Sequence, residues 1–312
     1  MTAPDEALAF APASVGNVAV GFDVLGHSVQ AVGDRVRARR ISTRAVRIAA
    51  ITGTVTNLPL EAGRNTAGVA VAALVETVGL DHGFELTIEK GIPLGSGLGG
   101  SAASAVAAVV AANALLAKPL DNLSLLKCAM RGEQIASGAL HVDNVAPSLY
   151  GGLVLTVGID DPNVKQIPVP DGVRCVLVHP HLELPTRKSR QVLKEKVALS
   201  DVIWQQANLA GFLTGCFTGD LNLIRVSLED VVIEPQRRRL IPGFPSVKAA
   251  AIAHGALGCS ISGAGPTVFA WCEEPRAEEI RDAMVAAFQL HGLTTDRWIS
   301  PIESRGAQVI ET

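Results

Sequence analysis

The sequence predicts an α+β protein of about two domains, and three observations carry that reading. Its 312 residues exceed the roughly 250 at which a single hydrophobic core stops growing. Of these residues 48% are hydrophobic and only 18% charged, against about 25% charged in ordinary soluble chains. There is apolar material for a large core and too little charge to keep the chain open. Strand signals also alternate with helical ones without a regular repeat, as helices layered on sheets require.

The elements follow in order. Arg35, Arg37 and Arg39 alternate with apolar residues and are expected on an exposed strand face. Residues Asn65 to Val78 and Ser101 to Leu116 read as helices, the second stopped near Lys118-Pro119 because proline cannot continue a helix. Between them Phe84, Leu86 and Ile88 alternate with Glu85, Thr87 and Glu89, the period of a strand with one wet face, expected to pair antiparallel. Asp121 or Asn122 caps a third helix running to about Ser137-Gly138. From Asp160 to Gly172 the composition turns to Asp, Pro, Asn and Gly, a connector without hydrophobic periodicity. The domain boundary is placed there, with residues 1–163 before it and 164–312 after it. Beyond it a strand (Val173 to Val178) and two helices (about Thr186 to Ala198 and Ser200 to Phe217) are expected, then a helix after Phe244. A strand to Ile261, a glycine turn, a strand from Thr267 to Cys272, a helix from about Arg276 to Leu290 and a strand near Thr294 to Ile299 complete the chain.

Charge and cysteine usage exclude several classes of function. The net charge of −3 provides no field for nucleic acid or an anionic membrane. Near the start, Pro4, Asp5, Glu6 and Pro12 replace the basic and apolar segments of a signal peptide. The apolar run Ala105 to Ala112 is cut by Asn113, far short of the roughly 20 residues a bilayer needs. Cys128, Cys175, Cys216, Cys259 and Cys272 are odd in number and contain no C-x-x-C pair, so they are expected as buried free thiols in a cytoplasmic protein.

Glycine is in excess, with 30 residues, and it clusters. Four glycines fall within Pro93-Leu94-Gly95-Ser96-Gly97-Leu98-Gly99-Gly100-Ser101-Ala102-Ala103-Ser104, between the amphipathic strand and a helix of small residues. Side-chain-free backbone ahead of a helix N-terminus offers aimed N–H groups and the positive end of the helix dipole, which together hold phosphate. Close packing alone is the competing explanation. A Walker A loop is excluded because no lysine precedes Ser101. Gly95, Gly97 and Gly100 satisfy G-x-G-x-x-G with Asp121 about twenty residues on. Yet the preceding strand is half polar where a dinucleotide-binding strand is buried on both faces. A protein-kinase loop fails because no V-A-I-K strand or H-R-D loop follows.

This loop closely resembles the ATP loop of the GHMP kinases. Two further segments extend the resemblance: Pro12-Ala13-Ser14-Val15-Gly16-Asn17-Val18-Ala19-Val20-Gly21-Phe22-Asp23-Val24-Leu25-Gly26 is similar to the N-terminal signature of the branch acting on homoserine, and Ile261-Ser262-Gly263-Ala264-Gly265-Pro266-Thr267 to the family's C-terminal glycine motif. The resemblance implies a two-domain GHMP kinase fold. Its N-terminal domain would be like the second domain of a small-subunit ribosomal protein, and its C-terminal domain ferredoxin-like. ATP and L-homoserine would meet at the junction, in a step of threonine biosynthesis, with a homodimer possible. Residues Pro93 to Ala103 would bind ATP. Glu133 and the hydroxyl of Ser101 would hold Mg²⁺, a cation that takes few protein ligands.

The substrate pocket implied by the resemblance draws on scattered segments. Asn17 and Asp23 come from the N-terminal signature, and Asn144 from His141-Val142-Asp143-Asn144-Val145-Ala146-Pro147. Arg190 comes from Thr186 to Arg190, and Arg237 from Glu234 to Gly243. Asn144 would face the substrate hydroxyl, the two arginines would fork the carboxylate, and Asp23 would meet the ammonium group. Whether Asp23 also takes the hydroxyl proton is open at this stage. His179 and His181 have no third ligand and are expected in a loop, and His141 as a packing or hydrogen-bonding residue. Gly100 stands where many family members carry serine. A kinase of this fold for another small alcohol, and a non-catalytic or RNA-binding module, are the competing functions.

Overall fold

The computed structural model describes residues 4–137, 141–158 and 161–312; the expected helix stop at Gly138 and the start of the connector at Asp160 lie outside them. The chain opens with strands β1 (Glu6–Gly16), β2 (Leu25–Ile41) and β3 (Val46–Gly53), then helix α1 (Thr66–Val78), strand β4 (Gly83–Lys90), and helices α2 (Gly100–Ala114), α3 (Asn122–Ser137) and α4 (Val142–Tyr150). Strands β5 (Leu153–Val157) and β6 (Asn163–Ile167) complete this half. Asn65 caps α1 through its side chain, which accepts from the Ala67 N–H at 3.1 Å. Asp121 does the same for α3 from the Ser124 N–H at 2.8 Å.

The first sheet runs β11-β1-β2-β4-β3, with β5 on β2 and β6 on β5; β11 is the C-terminal strand Gln308–Glu311. Phe84, Leu86 and Ile88 point into the core as expected. Strand β4 pairs antiparallel with β2 but parallel with β3, because α1 provides the crossover a parallel pair needs. Arg35, Arg37 and Arg39 lie on the wet face, paired with Glu89, Glu6 and Glu85. On the dry face β1 presents Ala7, Ala9, Ala11, Ala13 and Val15, all fully buried. Their small size lets α2 lie close to the sheet. Helix α2 is buried from Ala102 to Val109 and again at Ala111 and Ala112, which suits a helix enclosed within a core.

The second half contains β7 (Val173–Pro180), short α5 (Thr186–Gln191), α6 (Leu199–Thr218), α7 (Leu221–Ser227), α8 (Glu234–Arg237) and α9 (Phe244–Ala253). Strands β8 (Gly258–Ile261) and β9 (Val268–Glu273), helix α10 (Ala277–Gln289) and β10 (Thr295–Pro301) follow. The antiparallel order β10-β7-β9-β8 is the 4-1-3-2 arrangement of a ferredoxin-like β-α-β-β-α-β unit. Helices α9 and α10 cover one face through Phe244, Val247, Ile280, Met284 and Phe288. The other face, with Cys175, Leu177, Phe269 and Trp271, joins the core of the first half. There Trp271 Nε1–H donates to His27 Nε2 at 3.3 Å, and burial lowers the His27 pKa to about 4, keeping it neutral.

Several expectations are corrected. The boundary at 163/164 falls at the start of β6, which pairs with β5 and stays in the first sheet; the chain leaves that sheet after Ile167, and β11 returns to it. The helix expected to Ala198 ends at Gln191: the Lys194 N–H is drawn to Gln236 Oε1 at 2.8 Å, and residues 194–198 run exposed to the start of α6 at Leu199. Helices α4, α7 and α8 had no separate signal. All five cysteines are buried and free. Among the described residues no helix is long and apolar enough to cross a membrane.

Candidate active site

A cleft of about 450 Å³ opens between the two halves. One wall is the glycine loop. Pro93 to Gly97, Gly99, Gly100 and Ser101 line it, whereas Leu98, Ala102 and Ala103 are fully buried and support the loop from behind. Helix α2 starts at Gly100 with no side-chain cap, so its first N–H groups are open to an anion.

The other motifs orient the loop by capturing its carbonyls. Thr267 donates to Ser96 O from both its N–H (3.1 Å) and its hydroxyl (2.6 Å). Ser262 Oγ donates to Gly97 O at 2.7 Å, the Ser14 N–H to Leu98 O at 3.1 Å, and the Leu184 N–H to Gly95 O at 3.1 Å. With four successive carbonyls held from behind, the peptide planes are fixed against rotation. The C-terminal glycine turn is therefore a clamp on the glycine loop, a role its sequence did not reveal.

The N-terminal signature forms the opposite end. Between β1 and β2 the chain is left-handed at Asn17, Val18, Ala19 and Asp23, with φ of 68°, 42°, 56° and 63°, a conformation that costs free energy at each non-glycine residue. Asn17 stabilises it. Its Oδ1 accepts the Asp23 N–H at 3.0 Å, its Nδ2 donates to Gly263 O at 2.9 Å, and its N–H donates to Asp143 Oδ2 at 3.1 Å. Asn17 lines the cleft, but both ends of its amide are engaged by backbone. Gly16 lets α4 approach: a Cβ there would lie 2.5 Å from Asp143 Oδ2 and 2.8 Å from Asn144 Nδ2.

Asn144, Asp23, Arg190 and Arg237 all reach the cleft. Asn144 Oδ1 accepts from Ser14 Oγ at 3.0 Å, and one Nδ2 hydrogen goes to Asp143 Oδ1 at 3.3 Å, leaving the second. The two arginines do not form an open pair. Arg190 forks onto Asp23 at 2.8 and 2.5 Å, with its Nε buried and unpartnered. Arg237, 3% exposed, donates to Ser189 O at 3.2 Å and Gly263 O at 3.0 Å. Both guanidinium groups lie over the Phe22 ring, 4.9 and 5.2 Å from its centre. Burial first, and then Arg190, lowers the Arg237 pKa to about 10, so it stays cationic near neutrality.

Two residues acquire significance only in the structure. Asp143 is 2% exposed on the cleft wall; burial, reinforced by the charge of Asp23, raises its pKa to about 6. His141 also lines the cleft, with Nδ1 3.4 Å from Glu133 Oε1. Burial opposes its charge, but the hydrogen bond to Glu133 and the Asp143 and Glu133 carboxylates outweigh burial and raise its pKa. Both stood in the segment that singled out Asn144. His179, by contrast, is buried against Thr267 with its pKa lowered to about 4 by burial, and His181 bonds Thr294.

Glu133, 4% exposed, and Ser101 are hard oxygen donors bordering the same cleft. Among the described residues no three His, Cys, Asp or Glu side chains form a closed metal cage. This donor set fits Mg²⁺, which binds one or two protein oxygens and completes its shell with phosphate and water. Farther along, Val55, Leu58, Pro59, Ile88 and Ile92 form an apolar end.

Comparison with known proteins agrees with this architecture. The family profile for the GHMP kinases N terminal domain matches residues 65–152, and that for the GHMP kinases C terminal region matches residues 212–290. The chain is 51% identical over 306 residues to a homoserine kinase of Xanthomonas campestris pv. campestris, covering 98% of this chain and 94% of that protein. It is 50% identical to one from Xylella fastidiosa, covering 99% and 96%. The crystal structure of homoserine kinase from Cytophaga hutchinsonii superposes with a TM-score of 0.96 at 43% identity, covering 99% of both chains.

Proposed function

The chain belongs to the GHMP kinase family, and we propose that it transfers the terminal phosphoryl group of ATP to the side-chain hydroxyl of L-homoserine, yielding O-phospho-L-homoserine and ADP in threonine biosynthesis. One observation carries this reading: two arginines, two aspartates and a free amide hydrogen of Asn144 converge beside the phosphate loop. A zwitterionic amino acid with a side-chain hydroxyl needs each of these groups. An isoprenoid alcohol has no use for the α-ammonium partners.

Phosphoryl transfer asks mainly for positioning and charge neutralisation. The N–H groups of residues 95–101 cradle the phosphates, and the apolar end of the cleft takes the base. Asp23 and Asp143 face the ammonium group, and Arg190 and Arg237 the carboxylate. Asn144 donates to the hydroxyl oxygen and holds it in line with the terminal phosphate. Glu133 and Ser101 would hold Mg²⁺, which supplies Lewis-acid neutralisation of phosphate charge when bound. Catalysis then rests on proximity and preorganised dipoles. A cytoplasmic setting is supported by the unpaired cysteines, and a homodimer by the exposed apolar residues Leu199, Ile203 and Trp204 on α6.

A panel of homoserine, mevalonate and galactose with ATP and Mg²⁺ tests the assignment, with turnover expected for homoserine alone. No turnover of homoserine defeats it.

A further inference from the structure

The phosphate loop stands on a buried ion pair that the reaction as described does not use. Asp34 on β2 is wholly inaccessible, and Lys90, the last residue of β4, is 5% exposed. Their charged ends are in direct contact. Asp34 Oδ1 accepts the N–H groups of Gly91 and Ile92 at 3.0 and 3.2 Å, the two residues that lead into Pro93. Lys90 Nζ donates to Gly100 O and to Ser104 Oγ, both at 2.8 Å, at the start of α2. Ser104 Oγ in turn donates to Asp34 Oδ2 at 2.7 Å. The entering and leaving stems of the loop are thus tied to one pair of charges. They also pack closely, so that a Cβ at Gly100 would lie 3.1 Å from Ile92 Cγ2 and would need that methyl to give by a few tenths of an ångström.

Fold stability is a weak reason for such a pair, because two buried charges are often no better than apolar residues of the same volume. Lys90 borders the cleft, but its three ammonium hydrogens are taken by Asp34, Gly100 O and Ser104 Oγ. None is left for a ligand, so it acts through the loop. We propose that Asp34 and Lys90 are positioning residues for the nucleotide: they hold both stems of the loop in the geometry that receives phosphate, and so govern ATP and not the amino acid. The inference rests on reading residues 93–101 as the phosphate cradle.

Steady-state kinetics of the full-length enzyme, varying ATP and homoserine separately, test it. Lys90→Met is expected to raise KM for ATP about tenfold, while KM for homoserine stays within about twofold. Ser104→Ala removes one tie, keeps the ion pair, and is expected to raise KM for ATP about threefold; it serves if Lys90→Met does not fold. An unchanged KM for ATP in the folded variants, with only Tm lowered, overturns the proposal and leaves the pair a purely structural one. Gly97→Ala tests the cradle itself. At φ 77° its Cβ would meet Ser262 O at 2.5 Å. If this substitution also leaves KM for ATP unchanged, the cradle is wrong and the inference falls with it. If it raises KM while Lys90→Met and Ser104→Ala do not, only the positioning role falls.

Discussion

Replacing Arg190 by methionine tests most directly the end of the cleft proposed to bind homoserine. Before substrate binds, the Arg190 guanidinium is forked onto Asp23 at 2.8 and 2.5 Å, with both side chains about one-third exposed, 32% and 34%. A pair this exposed contributes only about 0–1 kcal/mol. A substrate carboxylate on Arg190 gains a charge-assisted hydrogen bond of about 1.5–3 kcal/mol, and the ammonium takes over Asp23. Subtracting the lost internal pair leaves about 2 kcal/mol in favour of the substrate, or roughly a 30-fold change in affinity. Arg190→Met is therefore expected to raise KM for homoserine about 30-fold at saturating ATP, with KM for ATP unchanged. The discrimination between homoserine and 3-aminopropan-1-ol, which lacks only the carboxylate, should shrink by the same factor. If KM for homoserine moves less than about twofold, or that discrimination survives intact, the carboxylate does not bind Arg190.

Three further perturbations separate the remaining roles. Asp23→Asn is expected to raise KM for homoserine at least as much as it lowers kcat; a pure loss of kcat would assign Asp23 as the base. Glu133→Gln should raise the half-saturating Mg²⁺ concentration about tenfold at fixed ATP, and an unchanged titration removes Glu133 from the metal site. Asp143 has its pKa raised from 3.8 to about 6 by burial and then by Asp23, so the folded state holds its proton to higher pH than the unfolded chain. Its effect on stability accordingly worsens as pH rises from about 4 to about 6 and then levels, at a cost of roughly 3 kcal/mol by pH 7. Asp143→Asn should gain Tm relative to the parent over that interval and lose the rise of kcat/KM for homoserine through pH 6. Parallel pH profiles for the two proteins would contradict this assignment.

Local features were legible because local rules produce them. The cap at Asp121, the period-two strand through Phe84, Leu86 and Ile88, and the helices read from Asn65 and Ser101 follow from backbone sterics and capping chemistry acting over a few residues. Strand β6 and the early end of α5 were not legible. Residues Asn163–Ile167 alternate too weakly to signal a strand and are held by β5, and beyond α5 the Lys194 N–H goes to the Gln236 side chain instead of a helical carbonyl.

The glycine loop stood out by composition, whereas the N-terminal signature and the C-terminal glycine turn were legible through their resemblance to the family, which also implied the candidate residues. Their interlocking was not. The clamp from Ser262 and Thr267, the Asp23–Arg190 fork, the proton affinity of Asp143 and the ion pair beneath the loop all join residues distant in sequence. Hydrogen-bond partners and desolvation are properties of the packed cleft, so only the tertiary structure could decide them.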